Sequence, residues 1–403
     1  MKKRILILIS SAIVIVSLYM NYDNQKIKIN KDDLSIIIPN SKSQKIKKDF
    51  IDKATQIIEI VKEDTKDGYT IGLDTPSLSK TGVKKLYDYL KQYEVCIDDE
   101  QGYYDLENVN VFEDFWNCYM QNIECHFVYY TILQTGNIER ADYYYEHDIL
   151  YVIKCSLNIE DEENPIVEDM YGREIQNAYY ENGFFYYRRI ISETMKKYGI
   201  IEYEYIRIEH LGEKNREYTQ KYIHTIDYQC TNIFTENWDS HSLNVVNYSD
   251  LFEYLYELKY QSPFYATEMD YTLDPFVKKI PADYFEKLIQ EYFDITSNVI
   301  KQYCVYDKNE DIYPWREGYC VASKFQTPCF KGEVVDIEEK DNSIILTVNA
   351  HGYEYGYSHG FTHKVYIQKY KTGFHYVGNE IIDSSDNHIP EYSPGVTCQS
   401  IKK

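Results

Sequence analysis

The sequence predicts an α+β protein of two tandem domains, each with helices followed by a curved antiparallel sheet. Helical and strand-like periodicities occur in the same order, helices first and strands after, in both halves of the chain. Beyond a short N-terminal segment, the remaining residues exceed what one hydrophobic core organises. We therefore divide the chain into an N-terminal segment, residues 1–25, and domains at residues 26–235 and 236–403.

The first domain combines helices with strands. Apolar residues recur at helical spacing in four segments, residues 47–63, 79–93, 111–120 and 188–198. Strand-like stretches lie at residues 123–133, 143–157, 179–187 and 201–209, and the polar residues 146–148 split the second into two strands. In the last stretch, Tyr203 and Tyr205 alternate with Glu202 and Glu204, which predicts a strand whose glutamates face solvent.

The second domain follows the same plan. Asp250 and Glu253 have capping-box spacing at the start of a short helix, and Pro281 opens a helix with a broad apolar stripe through Phe293. Two hairpins are predicted to follow, at residues 334–348 with a turn at 339–343 and at residues 363–382 with a turn at 371–373.

The N-terminal segment has the pattern of an export signal. Lys2, Lys3 and Arg4 precede the uncharged residues 5–20. Bulky residues follow where a signal peptidase needs small ones, which favours an uncleaved anchor over a cleaved signal. The predicted location is the cell membrane, with a single-pass N-terminal anchor and extracytoplasmic domains. A secreted protein with a cleaved signal is the alternative.

The chain is strongly acidic, with 43 basic and 65 acidic residues and a net charge of −22. Removing residues 1–25 takes away three basic residues and one acidic residue, which leaves −24. Such a field repels phosphate backbones and anionic headgroups, so nucleic acid is excluded as a partner. An unknown small ligand or an envelope protein is the expected partner, besides the membrane through the anchor.

The nine cysteines show no C-x-x-C pair and no repeated spacing, and their number is odd. These features predict cysteines that are mostly reduced and structural. No cofactor is predicted.

Residues 351–363, HGYEYGYSHGFTH, concentrate histidines and tyrosines near the C-terminus. Glycines favour a long loop here between two strands, at the rim of the second sheet. His351, His359 and His363 are candidate metal ligands, since zinc takes imidazole nitrogens. The candidate ligand-binding residues are Tyr353, Tyr355, Tyr357 and Trp315. An ordinary tyrosine-rich loop is the alternative.

Motifs of known chemistry are missing. The sequence contains no G-x-S-x-G, HExxH or P-loop pattern, and no catalytic residue is predicted. This favours a non-enzymatic binding or interaction module. A cell-envelope hydrolase or transferase without a recognisable motif, and a divalent-cation-dependent surface protein, remain alternatives.

Three stretches carry a resemblance to a known family: IPADYFEKLIQEYFDI (280–295), DIYPWREGYC (311–320) and FHYVGNEII (374–382). Through them the chain resembles a family of unknown function, membrane-anchored extracytoplasmic proteins of low-GC Gram-positive bacteria. The order of helices and strands is also similar to the cystatin-like, nuclear-transport-factor-2-like (NTF2-like) class. That similarity implies a curved sheet around a conical pocket and carries over no functional residue.

Overall fold

A computed structural model describes most of the chain. The described residues are 28–29, 35–65, 78–159, 165–189, 203–260, 264, 277–316, 330–352, 357–382, 384–392 and 394–395. Helices and mainly antiparallel sheets make up this part, so the α+β class is confirmed. Of the predicted helix at 188–198, the first two residues belong to a strand and the rest lie outside the described residues, as does the N-terminal segment at 1–25. Within the described part, no helix is long and apolar enough to cross a membrane.

The helices lie mainly where apolar residues recur at helical spacing. They are α1 (Asn40–Thr65), α2 (Lys80–Leu90), α3 (Val109–Met120), α4 (Glu213–Tyr222), α5 (Tyr248–Tyr260), α6 (Ala282–Tyr292) and α7 (Ser297–Tyr303). Ser79 caps α2, because its hydroxyl accepts a hydrogen bond from the Gly82 N–H at 3.1 Å. The predicted helices at 47–63, 79–93 and 111–120 are thus confirmed as α1, α2 and α3.

The strands form two large sheets and one small one. In the N-terminal half they are β1 (Lys28–Ile29), β2 (Ser35–Ile37), β3 (Cys96–Asp99), β4 (Cys125–Ile132), β5 (Ile138–Glu146), β6 (Ile149–Asn158), β7 (Ile166–Glu181), β8 (Phe184–Arg189) and β9 (Tyr203–Arg207). The others are β10 (Trp238–Asp239), β11 (Val277–Pro281), β12 (Ile312–Arg316), β13 (Phe330–Lys340), β14 (Ser343–Gly352), β15 (Tyr357–Tyr370) and β16 (Gly373–Ile381).

The N-terminal sheet has the order β1-β2-β7-β6-β5-β4-β3, and β9 pairs with β8, which pairs with β7. The pairs are antiparallel except β3 with β4. The long strand β7 pairs with β6 along its first part and with β8 along its second. Register shifts interrupt β7 in both pairings, and such irregularities bend strands. The sheet therefore curls into a half-barrel.

The two faces of the N-terminal sheet have different covers. Helices α1 and α2 pack on the convex face, where the core includes Phe50, Leu86 and Tyr130. On the concave face, α3 brings Phe112 and Phe115 against aromatic residues of β4, β7 and β8. These rings fill one end of the curl and leave the rest to polar residues.

The C-terminal sheet has the order β10-β16-β15-β14-β13, and a second small sheet pairs β11 with β12. Helices α5 and α6 contribute to the same hydrophobic core as this five-stranded sheet, which also takes in residues from Tyr222 to Phe234. The C-terminal core thus begins in the chain well before residue 235. Both predicted hairpins are confirmed, with tighter turns than expected: two residues each, at 341–342 and 371–372.

Two local predictions are wrong. Helix α5 begins at Tyr248, and the amide oxygen of Asn247 accepts from the Ser249 N–H at 3.0 Å, so Asn247 rather than Asp250 supplies the cap. Residues 179–187 form not one strand but the end of β7 and the start of β8, because Asn182 and Gly183 turn the chain with positive φ angles.

The expected long loop between the two C-terminal hairpins is also wrong. Strand β14 continues to Gly352 and β15 begins at Tyr357, so the sheet extends through most of this stretch. The glycines serve packing here: a Cβ on Gly360 would lie 2.4 Å from the Phe330 ring, and one on Gly352 would lie 2.8 Å from it. Because glycine has no side chain, the Phe330 ring can pack against the backbone at Gly352 and Gly360.

Candidate functional site

The concave face of the N-terminal sheet borders a cavity of about 940 Å³. Strand alternation decides which residues reach it. Tyr129 of β4 and Tyr143 of β5 line the cavity, whereas Tyr130 and Tyr144 on the same strands pack on the opposite face below α1. The cavity therefore occupies the part of the concave face that the α3 rings do not fill.

Asp98 of β3 is half-buried in the cavity wall. Its Oδ2 accepts a hydrogen bond from the Tyr129 hydroxyl at 3.1 Å, and its Oδ1 accepts one from the Asp99 N–H at 2.8 Å. Because a carboxylate has about four lone-pair positions, Asp98 keeps acceptor capacity after these two bonds.

A second carboxylate, Glu204 of β9, also lines the cavity. The Tyr187 hydroxyl donates to Glu204, and the Lys154 Nζ lies 2.6 Å from the same carboxylate oxygen. The Tyr143 and Tyr187 hydroxyl oxygens lie 2.8 Å apart. Since the Tyr187 proton is directed at Glu204, Tyr143 is the donor in that pair.

The two carboxylates differ in their counter-charges. Lys154 pairs with Glu204, whereas no lysine, arginine or histidine nitrogen forms an ion pair with Asp98 among the residues that the structure describes. Burial, with the neighbouring Asp99 charge in second place, raises the pKa of Asp98 to about 7. Burial also raises the pKa of Tyr129, and the Asp98 charge adds to this effect. Asp98 thus changes charge near neutral pH.

The C-terminal sheet contributes to one end of the cavity. Lys331 of β13 lines it and forms a side-chain hydrogen bond with Tyr205 of β9. Next to it, the Arg207 guanidinium of β9 lies 3.2 Å from the Glu333 carboxylate of β13. The edge of one sheet therefore completes a cavity that the other sheet forms.

A second concavity, of about 800 Å³, lies on the opposite face beside α1. Its central charges neutralise each other: the Arg140 guanidinium lies 2.6 Å from Asp142 and 2.5 Å from Asp49. The hydrogen bonds from Arg140 and Lys53 outweigh partial burial and lower the pKa of Asp49. This network holds α1 on the sheet, and its groups serve each other rather than a ligand.

His363, a predicted metal ligand, lies fully buried in the C-terminal core. Its Nδ1 is 2.7 Å from the Asn379 Oδ1 and its Nε2 is 2.7 Å from the Tyr228 hydroxyl. The Asn379 amide nitrogen donates to the Phe234 and Glu236 carbonyls, which fixes its oxygen as the acceptor from His363. Nδ1 therefore carries the proton, Nε2 accepts from Tyr228, and neither nitrogen is left for a metal. Burial lowers the pKa of His363 to about 4.

His351 and His359 lie away from that core network. The His351 Nε2 is 3.3 Å from the Glu333 carboxylate, and both histidines line a small concavity of about 260 Å³. Across the part of the chain that the structure describes, no group of three or more histidine, cysteine, aspartate or glutamate side chains is arranged to hold a metal ion. The structure thus separates His363 from the two histidines with which it was predicted to act.

The predicted ligand-binding aromatic residues fall in two places. Trp315 is 4% exposed and packs edge-on against Phe264, so it belongs to the C-terminal core. Tyr353 and Tyr355 lie outside the described residues, as does the side chain of Tyr357 at the start of β15. A ligand-binding role for these four residues stays a prediction. Among the described residues, cysteines 96, 118, 125, 155 and 304 form no disulfide, whereas cysteines 320, 329 and 398 lie outside the described residues.

The sequence analysis did not identify the cavity residues as a site, and Glu204 shows why. Its alternation with Tyr203 and Tyr205 correctly predicts a strand, but Glu204 faces the cavity instead of the outer surface. An acidic residue in an alternating strand indicates a wet face, and an internal cavity is wet as well. Asp98 sits in the short strand β3, which has no periodic pattern to reveal its direction.

Comparison with known proteins identifies the family of this chain but no activity. The model of a protein family described as "Family of unknown function (DUF6070)" matches residues 43–395, and the chain belongs to this family. No curated protein and no solved structure matches the chain. The predicted membership of a family of unknown function is confirmed.

Proposed function

We propose that this member of the DUF6070 family binds a small polar ligand in the concave cavity of its N-terminal sheet. The observation that carries the proposal is the cavity of about 940 Å³ lined by tyrosine rings and by two carboxylates with different partners. Binding pockets for small molecules have about this volume and join aromatic surface with a few convergent polar groups. The role is binding rather than catalysis.

The buried ion pairs and networks elsewhere in the protein support this choice of site. His363 bonds neighbouring side chains through both ring nitrogens, and Arg140 does so through all three guanidinium nitrogens. Asp98 instead keeps lone pairs beside a cavity large enough for a ligand. A charge kept at such a place costs stability, and that cost is typical of a functional site.

We place this binding site outside the cytoplasm. The basic head and apolar run of residues 1–25 support an N-terminal membrane anchor, and the resemblance to anchored proteins of low-GC Gram-positive bacteria supports the same location. The ligand would then come from the cell envelope or the medium. An envelope protein is the alternative partner.

We also propose that the two large sheets are the cores of tandem domains of the NTF2-like, cystatin-like kind. The cavity on the concave face of the first sheet supports this assignment. The predicted boundary at residue 235 stays a prediction. The packing of residues 222–234 with the C-terminal core favours a boundary nearer Gly212, which precedes α4.

A second candidate function, a hydrolase or transferase of the envelope, is favoured by one observation. Asp98 has a pKa raised to about 7 inside a cavity, which suits a group that takes up and returns a proton. Its neighbour Tyr129 is directed at it. No activated serine or cysteine accompanies the pair among the described lining residues, so binding is the preferred function.

Blocking the cavity tests the proposal. Ser156 of β6 lines it, and Ser156→Trp would place an indole in the ligand space. The matched control is Ser343→Trp, the same change at an exposed position of β14 in the other sheet. The full-length protein and both variants are compared by thermal shift against soluble peptidoglycan fragments and a metabolite library.

A native-state ligand raises the melting temperature by mass action. We expect stabilisation of the wild type and of Ser343→Trp, and none of Ser156→Trp. Equal stabilisation of all three would place the ligand elsewhere. Turnover of a fragment by the wild type, lost in Asp98→Asn, would favour the envelope enzyme instead.

A further inference from the structure

We propose that the ligand of this cavity carries an organic ammonium group that pairs with the Asp98 carboxylate. This inference rests on the proposed function and adds the chemical class of the ligand. It follows from hydrogen-bond direction, charge balance and ring placement around Asp98.

Hydrogen-bond direction comes first, because the tyrosine hydroxyls that contact the two carboxylates donate to them. Tyr129 donates to Asp98, while Tyr143 donates to Tyr187 and Tyr187 donates to Glu204. What these two chains leave toward a ligand is acceptor capacity. An ammonium group has three donors and no acceptor, so it complements such a lining.

The charge balance of the lining points the same way. The described residues that border the cavity include six acidic and four basic ones: Asp98, Asp99, Glu100, Glu139, Asp169 and Glu204 against Arg140, Lys154, Arg207 and Lys331. The Asp99 and Arg140 side chains are bonded on the opposite face, to Tyr87 and to Asp49 with Asp142, which leaves five acids and three bases. Lys154 and Arg207 each have an acidic partner in an ion pair, and within the described residues Glu204 alone among the five acids forms one.

An anionic ligand would therefore meet an excess of acidic side chains, which Lys331 offsets only in part, in a protein whose net charge is −22. A cationic ligand would restore the balance. A neutral ligand could donate a hydrogen bond to Asp98 but would leave the excess of negative charge unchanged. The charge distribution therefore favours a cationic ligand over an anionic or a neutral one.

The rings of the lining favour a cation as well. Tyr129, which bonds Asp98, borders the cavity together with the exposed ring of Tyr171, whereas the Tyr143 and Tyr187 rings are only 1% exposed. Tyrosine faces attract cations within about 6 Å, by about 0.5–2 kcal/mol depending on desolvation. A carboxylate next to tyrosine rings therefore gives an ammonium both an ion pair and an aromatic wall.

Binding of an ammonium would depend on pH through Asp98. The groups that act on it from the surrounding elements are Asp99 on its own strand, Tyr87 of α2, Tyr129 of β4, Tyr205 of β9 and Lys331 of β13. Asp98 must be ionised to bind a cation, and its pKa is about 7. An alkylammonium stays protonated through this range. Affinity would then rise about thirtyfold from pH 5.5 to 8.5, by proton linkage.

Three fluorescent probes of nearly equal size test the inference on the full-length protein. Dansylcadaverine carries an alkylammonium, its N-acetyl derivative is neutral, and dansyl-6-aminohexanoate carries a carboxylate. Each is titrated into the wild type, Asp98→Asn and Glu139→Gln, at pH 5.5 and 8.5. Glu139→Gln removes the same charge from an exposed position of the cavity wall, so it controls for the overall field.

We expect the wild type to prefer dansylcadaverine to both other probes. Asp98→Asn should weaken this binding at least about tenfold and abolish its pH dependence, while Glu139→Gln changes it less than about threefold. Binding of the neutral or anionic probe that Ser156→Trp abolishes and Asp98→Asn leaves unchanged would overturn the ammonium assignment and keep the cavity as a binding site. Dansylcadaverine binding that survives Ser156→Trp would overturn both proposals.

Discussion

Both large sheets of this protein have polar side chains on an inner face, but the surroundings and hydrogen bonds of these side chains differ between the two sheets. In the C-terminal sheet, His363 is enclosed by Phe234 and Phe361 and bonds Tyr228 and Asn379 through its two nitrogens. In the N-terminal sheet, Asp98 bonds Tyr129 and Asp99 and borders a cavity. We call the first arrangement closed, because both His363 nitrogens have partners in the same core. We call the second open, because Asp98 borders a cavity.

This difference teaches where to look for function in a protein without a motif. A buried polar group whose partners are all in the same core is part of the packing. A group with spare acceptor capacity at a cavity is available to a ligand. The histidine-rich stretch attracts attention in the sequence, yet its residue His363 belongs to the closed arrangement, and the plain residues Asp98 and Glu204 belong to the open one.

The largest expected effect is on the closed arrangement. His363→Ala would leave a cavity and deprive Tyr228 and Asn379 of a buried partner, and we expect a loss of about 4 kcal/mol in the free energy of unfolding. Chemical denaturation measures this loss. His241→Ala, at an exposed histidine, is the control and should change stability by less than about 0.5 kcal/mol. Equal losses in the two variants would contradict the closed arrangement.

The pH dependence of His363 should be the next largest effect. Its folded-state pKa of about 4 lies below the ordinary value of 6.5, so between these two pH values the unfolded chain binds a proton that the folded chain does not. Stability should fall by up to about 3 kcal/mol as pH decreases from 6.5 to 4. His363→Gln, which does not titrate, should lose this part of the pH dependence. Urea unfolding at pH 7 and 4.5 measures the free energy of unfolding of both proteins. The same change between the two pH values in the wild type and in His363→Gln would contradict the prediction.

The contribution of Asp98 to stability should change with pH in the opposite direction to that of His363. The folded-state pKa of Asp98, about 7, lies above the ordinary value of 3.8, so between these two pH values the folded chain holds a proton that the unfolded chain has lost. The contribution of Asp98 to stability therefore falls as pH rises from 3.8 to 7. Asp98→Asn should raise stability by about 2 kcal/mol at pH 8 and by much less at pH 4.5.

Glu139→Gln is the matched control for that measurement, because Glu139 lies exposed on the same wall. We expect it to change the melting temperature by less than about 1 °C at either pH. A lower melting temperature of Asp98→Asn at pH 8 would mean that the ionised carboxylate supports the fold, which would make Asp98 resemble His363.

The smallest effect concerns the ion pair inside the cavity. Lys154→Met would remove the ammonium that lies 2.6 Å from Glu204 and should cost about 1–2 kcal/mol. Adding Glu204→Gln should recover most of that loss, because the carboxylate charge that Lys154 stabilised is then removed. A double-mutant cycle measures the coupling. Additive losses in the double variant would show that Lys154 and Glu204 act independently.

Most elements could be predicted from the sequence because their evidence is local. The spacing of apolar residues in α1, the Ser79 cap of α2 and the polar turn between β5 and β6 depend on neighbours within a few positions. Predictions that depended on distant partners failed or stayed untested. Residues 351–363 were expected to form a loop because their glycines break patterns, but Gly352 and Gly360 accommodate the Phe330 ring of another strand.

The sequence by itself determined the α+β class, the acidic character, the absence of known motifs and the resemblance to a family of unknown function, since each is a property of composition or short-range pattern. The tertiary structure decided which polar residues meet. Curling of the N-terminal sheet brings Asp98 and Glu204, 106 positions apart, to one cavity, and packing places His363 in a closed core. Alternation along a strand gives two faces, but the curvature and packing of the whole sheet decide which face encloses a cavity.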